Sequence, residues 1–284
     1  MGTIKKEMKP NSNGIIFALA VLPNGDLVSG RVDGSIKIWD TNTGTEKYTL
    51  TGHTDRINDL IAVDQNRLIS ASNDKTINIW NNHQKSVIRT LTGHSESVLA
   101  LKMIHNGDLV SGSEDNTIKI WNIEDGTLKR TLTGPTSEVW ALVVLNNGDF
   151  VSGSFCDINI WDVDRGTIKG YFKGHSNYVH VLVQLKNGDL VSGSWDKTIK
   201  IWNTKIGAVK RTLTGHTSFV FVIKELGNGD LVSGSDDGTI KIWDAETGIV
   251  KKDLKVDSNF SYSLEVLPSG NLISASDKSI IIWE

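Results

Sequence analysis

The chain has 284 residues, 38% of them apolar and 22% charged, with 27 glycines and four prolines. These values exclude a disulfide-stapled miniature, a collagen and a disordered polymer. Thirty Lys and Arg against 33 Asp and Glu leave a net charge of −3, so no global field draws the chain toward nucleic acid or an anionic membrane. The one cysteine, Cys156, cannot close an internal disulfide, which favours a reducing compartment and sets a cytoplasmic or nuclear location as the expectation.

Along the chain, the opening Met1-Gly-Thr-Ile-Lys-Lys lacks the apolar core of a secretory signal. The first apolar stretch, Ile15 to Leu22, ends at Pro23, far short of the ~20 residues a bilayer span needs. An Ile-Trp pair then recurs at Trp39, Trp80, Trp121, Trp161, Trp202, Trp243 and Trp283, every 40 or 41 residues. Upstream of it lies the phrase Asn-Gly-Asp-Leu-Val-Ser-Gly, at Asn24 to Gly30, Asn106 to Gly112, Asn187 to Gly193 and Asn228 to Gly234, with Phe150 replacing Leu in Asn147 to Gly153. A period of this length marks a repeat architecture. Seven units fill the chain, and no linker or composition shift marks a second domain.

Within a unit the apolar residues alternate, as from Thr239 to Trp243, or run in short bursts such as Val139 to Leu145. Neither pattern has helical period, so strands are predicted. Asn-Gly suits a tight hairpin in which both central residues take positive φ, and Ser-x-Asp-x-Thr marks a second turn before the Trp strand. A Gly turn and a fourth run follow, as in Gly126 to Thr133. Each unit therefore predicts four short antiparallel strands. A sheet apolar on both faces cannot stand alone in water, but seven stacked around an axis cover one another. The expected fold is all-β, a seven-bladed β-propeller spanning residues 1–284 as one domain.

Gly2 to Met8 matches the fourth-strand segment Gly126 to Leu132, and the chain stops just after a third strand at Trp283-Glu284. Residues 2–9 are thus expected to supply the outer strand of the last unit and remove an open sheet edge. Cationic pairs on the outer strands (Lys5-Lys6, Lys129-Arg130, Lys210-Arg211, Lys251-Lys252) are expected to guard exposed edges rather than to bind phosphate.

These residues resemble the WD40 (WD-repeat) family. Gly-His opens units at Gly52-His53, Gly93-His94, Gly174-His175 and Gly215-His216, and Trp-Asp closes them at Trp39-Asp40, Trp161-Asp162 and Trp243-Asp244. The match covers the whole chain. The resemblance implies a ring-shaped, non-catalytic platform for protein or peptide partners, which bind on the face carrying the Gly-His loops and the second-to-third-strand turns.

His53, Ser70 and Asp74 are the side-chain types of an acyl-transfer triad. The set recurs with the same spacing as His94, Ser111, Asp115; His175, Ser192, Asp196; and His216, Ser233, Asp237. Four copies around a ring point to something every blade needs rather than to one active centre. The resemblance implies an Asp-His-Ser-Trp hydrogen-bonded brace ending on Trp80, Trp121, Trp202 or Trp243. A buried indole N–H requires an acceptor. One His per blade on separate loops cannot converge on a zinc ion, and no Gly-rich phosphate loop occurs, so neither metal nor cofactor is expected. An enzyme would need a non-repeating polar cluster in the channel, and the sequence shows none.

The pattern breaks in unit four, where Pro135 replaces His and the turn Ser154-Phe-Cys-Asp157 is one residue short. Ser12 and Asp257 stand at the His position of units one and seven, and the turn at Ser276-Asp277-Lys278 is also shortened. Units one, four and seven are expected to be the less rigid ones. Cys156, without a helix N-terminus or a basic neighbour, is expected to be inert.

Function must sit where the fold leaves residues free. By resemblance, two positions per unit face partners: the residue before the first strand's leading apolar residue, and the residue before the turn Asp. Read onto this chain they give Ile15, Arg56, Ser97, Glu138, Tyr178, Phe219 and Phe260 from the first set, and Val32, Asn73, Glu114, Phe155, Trp195 and Asp236 from the second. Units two and three offer polar residues, and the others an arc of Phe155, Tyr178, Trp195, Phe219, Phe260 and Ile15. Aromatic clusters concentrate interface energy, so this arc is expected to bind a protein or peptide. The competing account has the rings folding inward to plug the channel, with Trp140, His180, Phe221 and Tyr262 open to either. Alternatives are a ubiquitin-binding or phosphopeptide-binding adaptor, the latter weakened because Arg56 is the one arginine in these sets. A propeller enzyme and a nucleic-acid binder are further alternatives that the sequence does not favour. A monomeric ring without membrane attachment is expected.

Overall fold

The computed structural model describes residues 2–8, 14–255, 262–277 and 279–284, and its regular elements are all strands. In the first unit these are Ile16–Val21, Leu27–Arg31, Ile36–Asp40 and Thr45–Leu50, each antiparallel to the next. The alternation that predicted them has a physical counterpart. Side chains such as Ile36, Ile38 and Trp39 are buried, whereas Glu46 and Tyr48 on the outer strand are only half covered. The first hairpin differs from the expected two-residue Asn-Gly turn. Gly25 N–H bonds to the Leu22 carbonyl at 2.8 Å, so Pro23 and Asn24 are the central residues and only Gly25 takes positive φ, at 86°. A proline locked at negative φ and an Asn whose Oδ1 accepts the Asp26 N–H favour this wider turn.

Among the described residues there are five four-stranded sheets and one of seven strands. The larger sheet joins two units through the 18-residue strand Thr167–Gln184, which pairs with Phe155–Asp162 of unit four on one side and Leu190–Ser194 of unit five on the other. This departs from four separate strands per unit, and the shortened turn explains it. With one residue missing, the backbone of Phe155 reaches the register position opposite Tyr178, and Asp157 stands opposite Lys173. Pairing therefore continues where other units have a loop.

The N-terminal strand Ile4–Met8 runs antiparallel to Ile280–Trp283 and completes the last four-stranded sheet. Beyond it Gly2 N–H donates to Glu284 O at 2.7 Å. Residue 9 lies outside the described residues.

Buried apolar residues form seven clusters among the described residues, and each spans two units. In one, Val28, Ile36 and Ile38 of unit one pack with Ile57, Leu60 and Trp80 of unit two. Another unites Leu27 and Trp39 of unit one with Ile273, Ile280 and Met8. The sheets approach closely: a Cβ on Gly30 would lie 2.4 Å from Ile57 Cγ2, so the Ser-Gly of the repeated phrase is a steric requirement of stacking.

The outer-strand cations do more than guard edges. Lys47, Lys129, Lys210 and Lys251 pair with Asp26, Asp108, Asp189 and Asp230, the Asp of the repeated Asn-Gly-Asp turn, at 2.6–2.7 Å, and Lys169 pairs likewise with Asp149. Arg89, Arg130 and Arg211 reach turn carbonyls of the next unit at Glu124, Asp164 and Thr247, 2.9–3.1 Å away. An antiparallel outer strand points alternate side chains to opposite faces, so adjacent cations serve different neighbours. Each Lys is 38–46% exposed, which holds each pair to about 1 kcal/mol or less.

Met8 is the closing strand's buried anchor, 1% exposed. Met8→Ala should lower the unfolding free energy by about 2–5 kcal/mol in denaturant titration, whereas Lys5→Ala on the same strand should change little; equal effects would contradict the packing role given to this strand.

Candidate functional site

In units two, three, five and six the sequence brings Asp, His, Ser and Trp together in one line. In unit five, Trp202 Nε1–H donates to Ser192 Oγ at 2.8 Å, Ser192 Oγ lies 2.6 Å from His175 Nε2, and His175 Nδ1 lies 2.7 Å from Asp196 Oδ2. The same links join Trp80, Ser70, His53 and Asp74; Trp121, Ser111, His94 and Asp115; and Trp243, Ser233, His216 and Asp237. The indole can only donate, so the Ser proton is directed to Nε2 and the imidazole proton sits on Nδ1, facing the carboxylate. The chain of donors is satisfied only with neutral His.

Each carboxylate is held from several sides. Asp196 Oδ2 also accepts the Ser176 N–H at 3.1 Å, and Oδ1 accepts the Thr198 hydroxyl at 2.6 Å. Burial alone would raise these acids. For Asp115, the hydroxyl of Thr117, the ring of His94 and the Ser95 N–H outweigh it and bring the pKa down to about 2. Thr239, the Thr217 N–H and His216 do the same for Asp237, also to about 2. Burial depresses His94 and His216, opposed in part by their Asp partners. The four network serines are fully buried, with Oγ engaged by both His and Trp. No substrate can reach such an oxygen, so these groups do not form a nucleophile and its base.

The Trp-to-Ser bond extends further than the His loops. Trp39, Trp161 and Trp283 donate to Ser29, Ser152 and Ser274 at 2.8–2.9 Å. In unit four the line stops at Ser152, because Pro135 offers no side-chain donor or acceptor, and Phe155 N–H bonds instead to Ser137 Oγ at 2.9 Å. Ser12 and Asp257 lie outside the described residues. Cys156 adopts φ 60° in the short turn, and burial with the charges of Asp157 and Asp196 pushes its thiol pKa up, away from nucleophilic thiolate.

On the face bearing the His loops, the arc residues form a connected stack. Ring centroids are 5.1 Å apart for Phe155 and Tyr178, 5.0 Å for Tyr178 and Trp195, and 4.9 Å for Trp195 and Phe219. It continues along the channel mouth through Phe221, Tyr262 and Phe17, with Phe221–Tyr262 at 5.2 Å and Tyr262–Phe17 at 4.7 Å. Trp140 and His180 stack at 5.1 Å beneath Trp195. Phe155 is 45% exposed, while Tyr178, Trp195 and Phe219 are half-buried. The rings are thus partly exposed and also brace one another, so neither a free patch nor a plug describes them alone. Arg56 is drawn into the stack: its guanidinium lies 4.6 Å from the Phe17 centroid, and Nε donates to Asn58 at 2.7 Å. Ile15 is half-buried, its carbonyl accepting the Val32 N–H at 3.0 Å. Phe260 lies outside the described residues.

Sequence reasoning missed Phe17, which occupies the register of Trp140, His180, Phe221 and Tyr262, one residue after each first strand's leading apolar position. That spacing was available as a signal. It also saw no polar cluster in the channel, whereas the channel, about 490 Å³, is lined in part by Asn58, Asp59, Lys102 and Lys224. Asp59 Oδ2 accepts the Leu101 N–H of the next unit at 2.8 Å, and Lys224 pairs with Glu265 at 2.7 Å. These charges fall at first-strand positions that are apolar or small in other units. Enclosure in the channel raises the Asp59 pKa, and it lowers His180 to about 4, where Nδ1–H donates to the Phe221 carbonyl.

The sign of the acid response follows. His94, His180 and His216 titrate lower folded than unfolded, so their contribution is full above ~6.5 and is lost as pH falls toward about 4, the value for His180. Asp115 and Asp237 add a second loss between ~4, their unfolded range, and about 2. Denaturant titrations across pH should therefore show stability declining below neutrality and again below ~4; a stability maximum near pH 5 would contradict the neutral-His assignment.

Among the described residues no group of three or more His, Cys, Asp or Glu side chains converges on a metal position, and no helix is long and apolar enough to cross a membrane. No curated protein matches the chain. The family model for the WD domain, G-beta repeat, matches it seven times, over residues 2–40, 44–81, 85–122, 126–162, 166–203, 207–244 and 254–284. With the repeated four-strand sheets and the buried Trp of every unit, this places the chain in the WD40 family of β-propeller proteins, as a non-catalytic protein-interaction scaffold.

Proposed function

We propose that the seven units close into one seven-bladed ring and that partners bind on its His-loop face, at the arc of Phe155, Tyr178, Trp195 and Phe219. Closure is supported by the order of the contacts. Each unit's first strand packs on the next, and that of the last unit, Ser263–Val266, packs on Ile16–Val21 of the first. The single observation that carries the binding surface is the continuous ring stack from Phe155 to Phe17 at the channel mouth. Rings held against one another lose little conformational freedom on binding, which suits them as anchors. Arg56 serves this surface indirectly, by holding Phe17.

A phosphopeptide reading is disfavoured by charge. The loops of this face carry eleven carboxylates against three cations, Arg56, Lys75 and Lys197, among the described residues.

Trp195→Ala with Phe219→Ala should weaken capture of cellular partners by about tenfold or more while the protein still unfolds cooperatively by circular dichroism. Undiminished capture by the folded variant would refute the surface.

A further inference from the structure

Charge is distributed unevenly between the two ends of the fold. Among the described residues each end carries eleven carboxylates in its loops. At the end with the Asn-Gly turns, eight of them are ion-paired to Lys or Arg, including Asp26, Asp108, Asp189 and Asp230. At the end bearing the aromatic arc, two are so paired, Asp33 with Arg31 and Glu96 with Lys75. Four more bond to network His side chains that must be neutral for the proton order above. Those four side chains are 6–11% exposed, and Asp55, Glu114, Glu138, Asp236 and Asp277 carry the unpaired negative charge of this face.

Several of these carboxylates border the rings directly. Glu138 lies beside the Tyr178 hydroxyl and pushes its pKa up. Asp236 is tied to Phe219 through a backbone bond of 2.9 Å and to the Ser218 hydroxyl at 2.7 Å, and burial, with smaller effects of the Asp236 and Asp277 charges, raises the Tyr262 pKa. Asp277 keeps a buried carboxylate oxygen with no hydrogen-bond partner among the described residues. Aromatic faces beside carboxylates favour a cation that is partly desolvated on the ring and hydrogen-bonded at its edge. The chain already makes one such contact with its own Arg56 over Phe17.

We propose that the arc's occupant is a basic segment of a partner protein, whose arginine or lysine side chains lie on the ring faces beside Glu138 and Asp236. This rests on the arc being the binding surface and adds the chemical class of what binds there. The charge of the face supplies steering, and the rings supply short-range contact.

The test uses fluorescence anisotropy with the full chain and matched glycine-serine peptides bearing arginines, lysines or glutamates. The basic peptides should bind, more weakly as salt rises, and the glutamate peptide should not. Glu138→Gln with Asp236→Asn, at half-buried positions that carry no core packing, should weaken the basic peptides by about tenfold. Asp64→Asn with Glu124→Gln at the opposite end should leave binding unchanged. Equal binding of the glutamate peptide, unchanged affinity of the arc-end charge variant, or an equal loss at the opposite end would each overturn the proposal. If the aromatic double variant loses its cellular partners while the arc-end charge variant keeps them, the surface stands and its preference for basic segments falls.

Discussion

A four-stranded sheet with apolar side chains on both faces must be covered twice, and that requirement organises the whole chain. Ile38 and Trp39 are adjacent on one strand yet belong to different clusters, one shared with unit two and the other with the last unit. No single unit can satisfy both, so each depends on two neighbours. Close stacking then dictates a small residue at this register: a Cβ at Gly30, Gly112, Gly153 or Gly193 would lie 2.4–2.8 Å from a neighbouring side chain, and Ala71 and Ala275 hold the place in units two and seven. The same requirement reaches the seam, where Met8 is drawn into the cluster between the first and last units.

Stacking buries seven indoles, and each buried N–H must find an acceptor. The serine of the second strand fills that need in every unit, with bonds of 2.8–2.9 Å. His and Asp extend the line in four units and fasten the fourth-to-first-strand loop to the second turn. Unit four keeps the acceptor and drops the extension, and its loop is tied to the second turn instead by the Phe155 N–H, which donates to Ser137 Oγ at 2.9 Å. The acceptor is thus the general requirement, and the His-Asp extension is one way of tying the loop above it. These bonds consume the polar residues that imitate a catalytic triad and leave the rim to the residues between them.

Much of this was legible in the sequence, because the forces that decide it act at fixed spacing. The strand order and the N-terminal strand follow from a period of about forty residues and from apolar alternation, and the four braces from the resemblance to the WD40 family. Three features were not legible, for distinct reasons. The Asn-Gly turn widened because the residue before Asn takes a central place in it and the Gly N–H bonds back three residues. This arrangement is seen with Pro23 and equally with His105 or Lys186 at that place, so it depends on backbone bonding and the Asn side chain more than on proline. The outer-strand cations were read as edge guards because their partners, such as Asp189 for Lys210, lie 21 residues away and meet only when the sheet forms. Asp59 and Lys224 fell at positions that look like ordinary strand residues until first strands from different units face one channel. The arc itself was legible as a set of positions, but not as a stack, since ring-to-ring contact depends on rotamers across unit boundaries.

The most direct test of mutual covering between the first and last units is hydrogen exchange of the intact protein followed by mass spectrometry. If the units cover one another all the way round, backbone amides of Ile4–Met8 and Ile280–Trp283 should exchange about as slowly as the paired outer strands of the interior units, Leu128–Thr133 with Thr117–Trp121 for example. Rapid exchange confined to these two strands, with the interior units protected, would mean that the ends do not hold each other, and the closed arrangement on which the binding face depends would be wrong.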